Sequence, residues 1–404
     1  MHANPFTDRE LECRLKAVRQ DMAARDLGLI LLSTPENIFY LTGLDHWGYF
    51  APHLLLVPAD DQMVLITRSM ERVTIENQVR NALSEGHYDS GTAADFAVRH
   101  LQNRPTANRR QSAALEQAEE AIEALPGIQR RIGVETWSAG HSYGVGSALR
   151  EHLEGVDWID ITGLVDKLRP VKSPEEQAMM RRAAAAGDAG TQAAIAAIHD
   201  GAKEADVAAE CLAAMTRAGG TPPGFGPFIR PDARIAEEHT TWGDGVYRSG
   251  ERVFLKIAGC VSRYNAPQGR IVHIGAVPDA DAAMAEISKA AFPAILDGLH
   301  PGVTAADVNQ SWQSIVDAAG MPHYRRHHCG DLVGIGFPPS WTGGNRVTGL
   351  RHDSDLVIQE GMTFHAMSWF NETGRGDYFA SNTVLLGPDG AEVLTKTPMG
   401  PLIA

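Results

Sequence analysis

LRPVKSPEEQAMMRRAA, residues 168–184, decides how the chain is divided. Ser173 offers a side-chain acceptor, Pro174 a φ already set for the first helical position, and Glu176 a carboxylate able to reach back to the cap. A helix therefore starts at Pro174, runs alanine-rich to about His199 and stops at Gly201. A second helix over 203–218 buries Val207, Cys211, Leu212 and Met215. Strand-like segments rich in glycine and aromatic residues come next, then a helix near 305–318 and more strands to the end. Paired helices set against a strand-forming region predict an α+β domain over 166–404.

Upstream of the boundary the signals alternate between helix and strand. Thr7 to Glu10 reads as a capping box, and Leu11, Leu15, Val18 and Met22 follow at helical spacing. GLILLST (28–34), HLLLVPA (53–59), MVLITRS (63–69), RIGVET (131–136) and DWIDIT (157–162) are short apolar runs between turn signals, the pattern of buried strands. They predict a smaller α/β domain over 1–165.

Composition narrows the functional classes. At 404 residues the chain is long enough for two or three domains. With 44% hydrophobic and 21% charged residues it has the balance of a globular protein. A formal charge of −14 argues against nucleic acid and against an anionic membrane as partners, because both select basic surfaces. No stretch approaches the roughly 20 apolar residues that span a bilayer. The N-terminal MHANPFTDRELEC has no apolar core of a signal peptide, so a cytoplasmic location is expected. Cys13, Cys211, Cys260 and Cys329 form no CxxC pair, which predicts free thiols rather than a zinc site or disulfides.

Six blocks carry a resemblance. The boundary segment is similar to the linker and first helix that open the catalytic domain of the creatinase/prolidase family, and YLTGLD (40–45) resembles a motif of that family's N-terminal domain. EEHTTWGDG (237–245), LKIAGCVSRYNAPQGRIVHIG (255–275), HHCGDLVGIGFPPSW (327–341) and EGMTFHAMSWF with DYFASNTVLLGPDGAEVLT (360–395) then follow in the family's order. The resemblance implies a C-terminal pita-bread domain, as in creatinase, prolidase and methionine aminopeptidase, behind a creatinase-type N-terminal domain.

In the metallopeptidases of this fold, two Asp, one His and two Glu hold two metal ions. The resemblance lays Lys256 and Pro267 on the two Asp, Asp331 on the His, and Met367 and Ser381 on the two Glu. Hard divalent ions need oxygen and imidazole donors, so an ammonium, a proline and a thioether cannot make such a centre. No metal or other cofactor is expected. The chain thus looks like the metal-free branch, of which creatinase and ectoine hydrolase are the best-known members, and which hydrolyses C–N bonds in small cationic or zwitterionic compounds. It departs from both. Ectoine hydrolase-like chains carry an acidic residue at the position of Lys256, and creatinase's paired glutamates fall on Gly269 and Met367.

The implied activity is metal-independent hydrolysis of a non-peptide C–N bond in a small zwitterion or a cyclic amide or amidine. A lyase abstracting a proton, for example from a sulfonium compound, and an inactive small-molecule-binding homologue are the alternatives. His239 lies on the position that creatinase-like enzymes use for proton transfer, which suits an imidazole. Lys256 would put a fixed cation where metal charge stood, with Asp331 as its counter-charge. His365 alternates with apolar neighbours on a strand and is a further catalytic candidate. Trp242, Tyr264, Arg270 and His328 are expected to bind substrate: aromatic faces attract cations, and a guanidinium fork matches a carboxylate. Trp341 and Trp369 lie in the same blocks, and core packing is expected for at least two of these four aromatic residues. A homodimer is implied as well, with Trp47 reaching a neighbouring subunit's pocket.

Overall fold

The computed structural model describes residues 4–88, 93, 97–98, 101, 131–344 and 347–404. It divides into two units, one running to Arg169 and taking in Gly344, the other comprising Pro170–Gly343 and Val347–Ala404.

The first unit is built on a six-stranded sheet. Its strands are β1 (Leu29–Leu32), β2 (Leu54–Pro58), β3 (Met63–Arg68), β4 (Ala82–Tyr88), β5 (Arg131–Val134) and β6 (Asp157–Asp160), in the order β4-β3-β2-β1-β5-β6. Five of these are the apolar runs anticipated from sequence. Helices α1 (Asp8–Ala24), α2 (Pro35–Thr42), α3 (Arg72–Gln78) and α4 (Tyr143–His152) complete the described part. Thr7 caps α1 by accepting from the Glu10 amide at 3.2 Å, while the Glu10 carboxylate turns to Arg14 at 2.8 Å. The YLTGLD motif closes α2 at Gly43, whose φ of +72° suits a residue without Cβ. Glu135 is buried and accepts from the Ser33 and Thr34 amides at the start of α2, at 2.6 and 2.8 Å. Trp47 is 59% exposed.

The second unit opens with α5 (Pro174–Ala197), whose capping box is complete: Ser173 Oγ accepts from the Glu176 amide and Glu176 Oε2 from the Ser173 amide. Helix α6 (Glu204–Arg217) follows, then strands β7 (Phe228–Pro231), β8 (Arg252–Val261) and β9 (Tyr264–His273). Helix α7 (Asp279–Gly298) was not anticipated. Its alanine-rich sequence has few large apolar residues to mark a period, and Pro293 interrupts it. Helix α8 (Ala305–Ala318) is capped by Thr304 and Asp307. Strands β10 (Gly330–Leu332), β11 (Thr363–Phe370), β12 (Tyr378–Gly387), β13 (Gly390–Val393) and β14 (Leu402–Ile403) finish the unit. The sheet runs β10-β11-β12-β9-β8-β7, with β13 on β12 and β14 on β9.

All four helices pack on one face of this sheet. Val253, Leu255 and Ile257 of β8 meet Ala194, Val207 and Cys211 of α5 and α6 in one core. Gly187 of α5 lies so close to Gly259 of β8 that a Cβ on Gly259 would stand 2.2 Å from the Gly187 nitrogen, so both positions need glycine. On β11, Ser368 accepts a bond from Trp312 of α8 and gives its carbonyl to Ser288 of α7. Side chains alternate along a strand, so the intervening residues of β8, β9, β11 and β12 share the opposite, inner face. That face holds the site.

Candidate active site

Strand register assembles the inner face residue by residue. Lys256 pairs with Gly269, Gly269 with Ser381, and Ser381 with Met367. Pro267 lies two residues from Gly269 on the same strand face, and Asp331 pairs with His365, two residues from Met367. The five positions that the resemblance lays on the metal ligands therefore converge on one surface. They carry an ammonium, a proline ring, one carboxylate, a thioether and a hydroxyl. Such a donor set does not fit two hard divalent ions. Among the described residues, no group of three or more His, Cys, Asp or Glu is arranged to hold a metal.

Aromatic rings fill the space around this surface. A Cβ on Gly269 would collide with the Phe379 ring, so that ring occupies the room a glutamate there would need. Phe379 stacks on Phe254 at 5.0 Å and leans on Trp369 at 5.0 Å. On the other side Trp341 meets Phe225 at 4.7 Å and Phe228 at 5.4 Å. The Lys256 ammonium lies between these groups, 5.4 Å from the Trp341 ring centre and 5.6 Å from that of Trp369, within range of cation–π attraction.

The electrostatics follow from burial. The depth of the Lys256 ammonium draws its pKa below the ordinary lysine value, against the pull of Asp331 and Glu238. Lys256 makes no close ion pair with Asp331; the two interact through space. Asp331 is 7% exposed and its Oδ1 accepts no hydrogen bond, with the His328 imidazole Nε2 lying 3.6 Å away. Burial pushes the Asp331 carboxyl up to about 6, partly offset by Lys256. Burial, then His327 and Lys256, bring His328 down to about 3. His365 is wholly buried, exchanges a 2.7 Å hydrogen bond with Ser381 Oγ through Nε2, and is held neutral by burial and Lys256. The site thus sets a carboxyl titrating near neutrality among neutral imidazoles and a weakened ammonium, which suits proton transfer.

His239 reaches the same aromatic group from a loop. Its backbone is left-handed, with φ +57°, uncommon for a residue bearing a side chain. Its ring lies 5.6 Å from Phe225 and 6.0 Å from Phe228, the two rings that pack on Trp341. Lys256, Asp331, His328, His365 and His239 are therefore brought together around one group of aromatic rings.

Three expected ligand-binding residues go elsewhere. Arg270 points to the helix face, where all five N–H groups are taken: Nε by Pro398 O, Nη1 by Gly269 O and Ser381 O, Nη2 by Asn382 Oδ1 and Thr397 O. It is an anchor, not a carboxylate clamp. Tyr264 also faces the helices and donates to Glu176 of α5 at 2.8 Å. Trp242 packs against the α5–α6 core. Core packing thus claims Trp242 and Tyr264, while Trp341 and Trp369 line the site. Two inner-face residues escaped the sequence reading. Arg230 shares the face of Phe228 on β7, and Arg326 lies 4.1 Å over the Trp369 ring. The alternation Phe228–Ile229–Arg230 was the available signal; Gly226 and Pro227 before it and Pro231 after it obscured the strand.

The fold and this surface agree with the family comparison. Residues 178–388 match the model of metallopeptidase family M24, and residues 14–171 match the creatinase/prolidase N-terminal domain. The chain belongs to metallopeptidase family M24. It is 27% identical over 411 residues to the ectoine hydrolase of Halomonas elongata, covering 98% of this chain and 97% of that one. It is equally 27% identical to an uncharacterized hydrolase/peptidase of Sinorhizobium fredii, with 97% of each chain covered. An Xaa-Pro dipeptidase from Bacillus anthracis shares the fold at TM-score 0.79 and 19% identity, over 98% of this chain and 100% of that one. A creatinase-type N-terminal domain and an M24 pita-bread domain therefore make up this chain, and its family is one of hydrolases. At the positions that the resemblance lays on the metal ligands of the metallopeptidases, this chain carries Lys256, Pro267, Asp331, Met367 and Ser381. No helix among the described residues is long and apolar enough to cross a membrane.

Proposed function

We propose that this M24 chain is a metal-independent hydrolase that cleaves a non-peptide C–N bond in a small zwitterion or a cyclic amide or amidine. The observation that carries this reading is the inner face itself, where five positions meet around one carboxylate and one ammonium between tryptophans. The similarity to ectoine hydrolase, over nearly the whole of both chains, supports the substrate class.

The residues divide the work by their chemistry. Hydrolysis joins the oxygen of water to the amide or amidine carbon, breaks the C–N bond and delivers a proton to the departing nitrogen. Asp331, with an oxygen lacking a hydrogen bond and a pKa near 6, is suited to take the proton from water. His239 supplies the proton to nitrogen. Lys256 steadies the negative charge that develops at the attacked centre, in a setting where water competes little. His365 stays neutral and fixes Ser381 beside the reacting group. Trp341 and Trp369 flank the cationic part of a zwitterion.

Incubation of the chelator-treated protein with ectoine and with creatine in ¹⁸O-labelled water tests the proposal. A product carrying one solvent oxygen is expected. An unsaturated product without solvent oxygen would identify a lyase, and tight binding with no product a binding protein; either result contradicts hydrolysis.

A further inference from the structure

Arg230 is 1% exposed, yet its Nε and Nη1 have no hydrogen-bond partner. Among the described residues it also has no ion pair, and its guanidinium carbon rests 4.4 Å from the Phe254 ring centre. A buried charge in this condition is costly, because the water it has lost is not replaced. Strand register places it beside Lys256. Arg230 pairs with Phe254 across β7 and β8, and Phe228 pairs with Lys256, so Arg230 and Lys256 are diagonal neighbours on the inner face. Such diagonal pairs stand about 7–8 Å apart, a distance that a carboxylate between two long side chains can bridge. Burial draws the guanidinium's pKa below its ordinary value, and Glu238 and Glu237 oppose this from a distance without bonding to it. Nε and Nη1 lie on the two bidentate edges of the guanidinium plane, so both recognition edges are open.

We infer that Arg230 is the carboxylate anchor of the site, so that the substrate carries a free carboxylate held between Arg230 and Lys256, with its C–N bond turned toward Asp331 and His239. The inference rests on the site being the one described above, and it narrows the substrate to a small carboxylate-bearing amide or amidine. An amide without a carboxylate would leave Arg230 as it stands, buried and unbonded.

The test measures binding apart from turnover. Ectoine, creatine, pyroglutamate and N-acetylglycine are titrated calorimetrically into the wild-type protein, each beside its carboxamide. At least one carboxylate should bind about tenfold or more tighter than its carboxamide, the scale of one lost charged hydrogen-bonding partner. Arg230→Met should abolish that preference, and Arg230→Lys should restore part of it. The ligand-free Arg230→Met protein should melt at or above the wild-type temperature, since the variant removes an unpaired buried charge. Equal binding of acid and amide, no binding by any carboxylate, or a preference surviving in Arg230→Met would overturn the inference. So would an Arg230→Met protein that fails to fold, since that marks Arg230 as part of the scaffold. A carboxylate that binds through Arg230 but is never hydrolysed would instead leave the anchor standing and refute the hydrolase reading.

Discussion

Arg230 and Arg270 lie on opposite faces of one sheet, and both are buried, but they are bonded in opposite ways. Arg270 has a protein acceptor for each of its five N–H groups; Arg230 has none at Nε or Nη1. The same contrast runs through their surroundings. On the helix face Asp188 accepts from Gln268, Thr397 and the Lys396 amide, all between 2.8 and 3.0 Å. On the inner face Asp331 Oδ1, His328 Nδ1 and His365 Nδ1 are buried without partners. On the helix side Gln268 Oε1 and Tyr247 Oη are also buried without a partner. Buried polar groups are normally satisfied, so Arg230, Asp331, His328 and His365 mark where the fold has given up stability for something else. A residue's contribution to folding and its contribution to chemistry should therefore separate by face.

The largest effect is expected at His239. His239→Ala should lower turnover by about 10²–10⁴, the usual worth of a positioned acid–base group, with ligand binding little changed. Steady-state kinetics within about threefold of wild type would remove His239 from the inner-face machinery. Arg270→Met tests the opposite face. It removes the donor from five acceptors, of which Asn382 Oδ1 keeps the hydroxyl of Thr395, and should cost about 3–5 kcal/mol in denaturant unfolding. A loss no greater than that of Arg230→Met would dissolve the contrast between the faces.

Lys256→Met keeps the side-chain length and removes the charge. It should fold as well as wild type while kcat falls by about 10²–10³, the scale of one lost electrostatic donor. Unchanged kcat would make Lys256 a passive substitution in a lost metal site.

The smallest effect concerns Asp331. Its carboxyl is raised to about 6 from an ordinary 3.8, so between those values the folded chain holds a proton that the unfolded chain releases. Stability therefore falls as pH rises through that window, and the penalty is fully present above about pH 6. Asp331→Asn cannot ionise and should overtake wild type in stability above pH 6, by on the order of 2–3 kcal/mol, while losing the rise in kcat through pH 6. Parallel stability curves for the two proteins from pH 4 to 7 would refute this.

Much of the fold was legible because local chemistry and global architecture agree. The Ser173–Glu176 box marks the start of the catalytic unit, and five apolar runs mark strands of the first sheet. Helix α7 was hidden by alanine, which has helix propensity without an amphipathic stripe. At the site, strand parity was the deciding information. Lys256 lies opposite Gly269, so Arg270 and Tyr264 had to face the helices. Only the pairing of β8 with β9, a contact between segments that sequence alone does not register, reveals it. Arg230 was missed for the related reason that a four-residue strand that follows Gly226 and Pro227 and ends at Pro231 gives little period to read.

The central claim is that this inner face works without a metal. Elemental analysis of the purified protein, coupled to turnover before and after chelation of whichever compound the ¹⁸O-labelling assay shows to be hydrolysed, tests it most directly. The account predicts no stoichiometric divalent metal and unchanged turnover after chelation. One or two bound ions per chain, with activity lost to the chelator and restored by the metal, would contradict it.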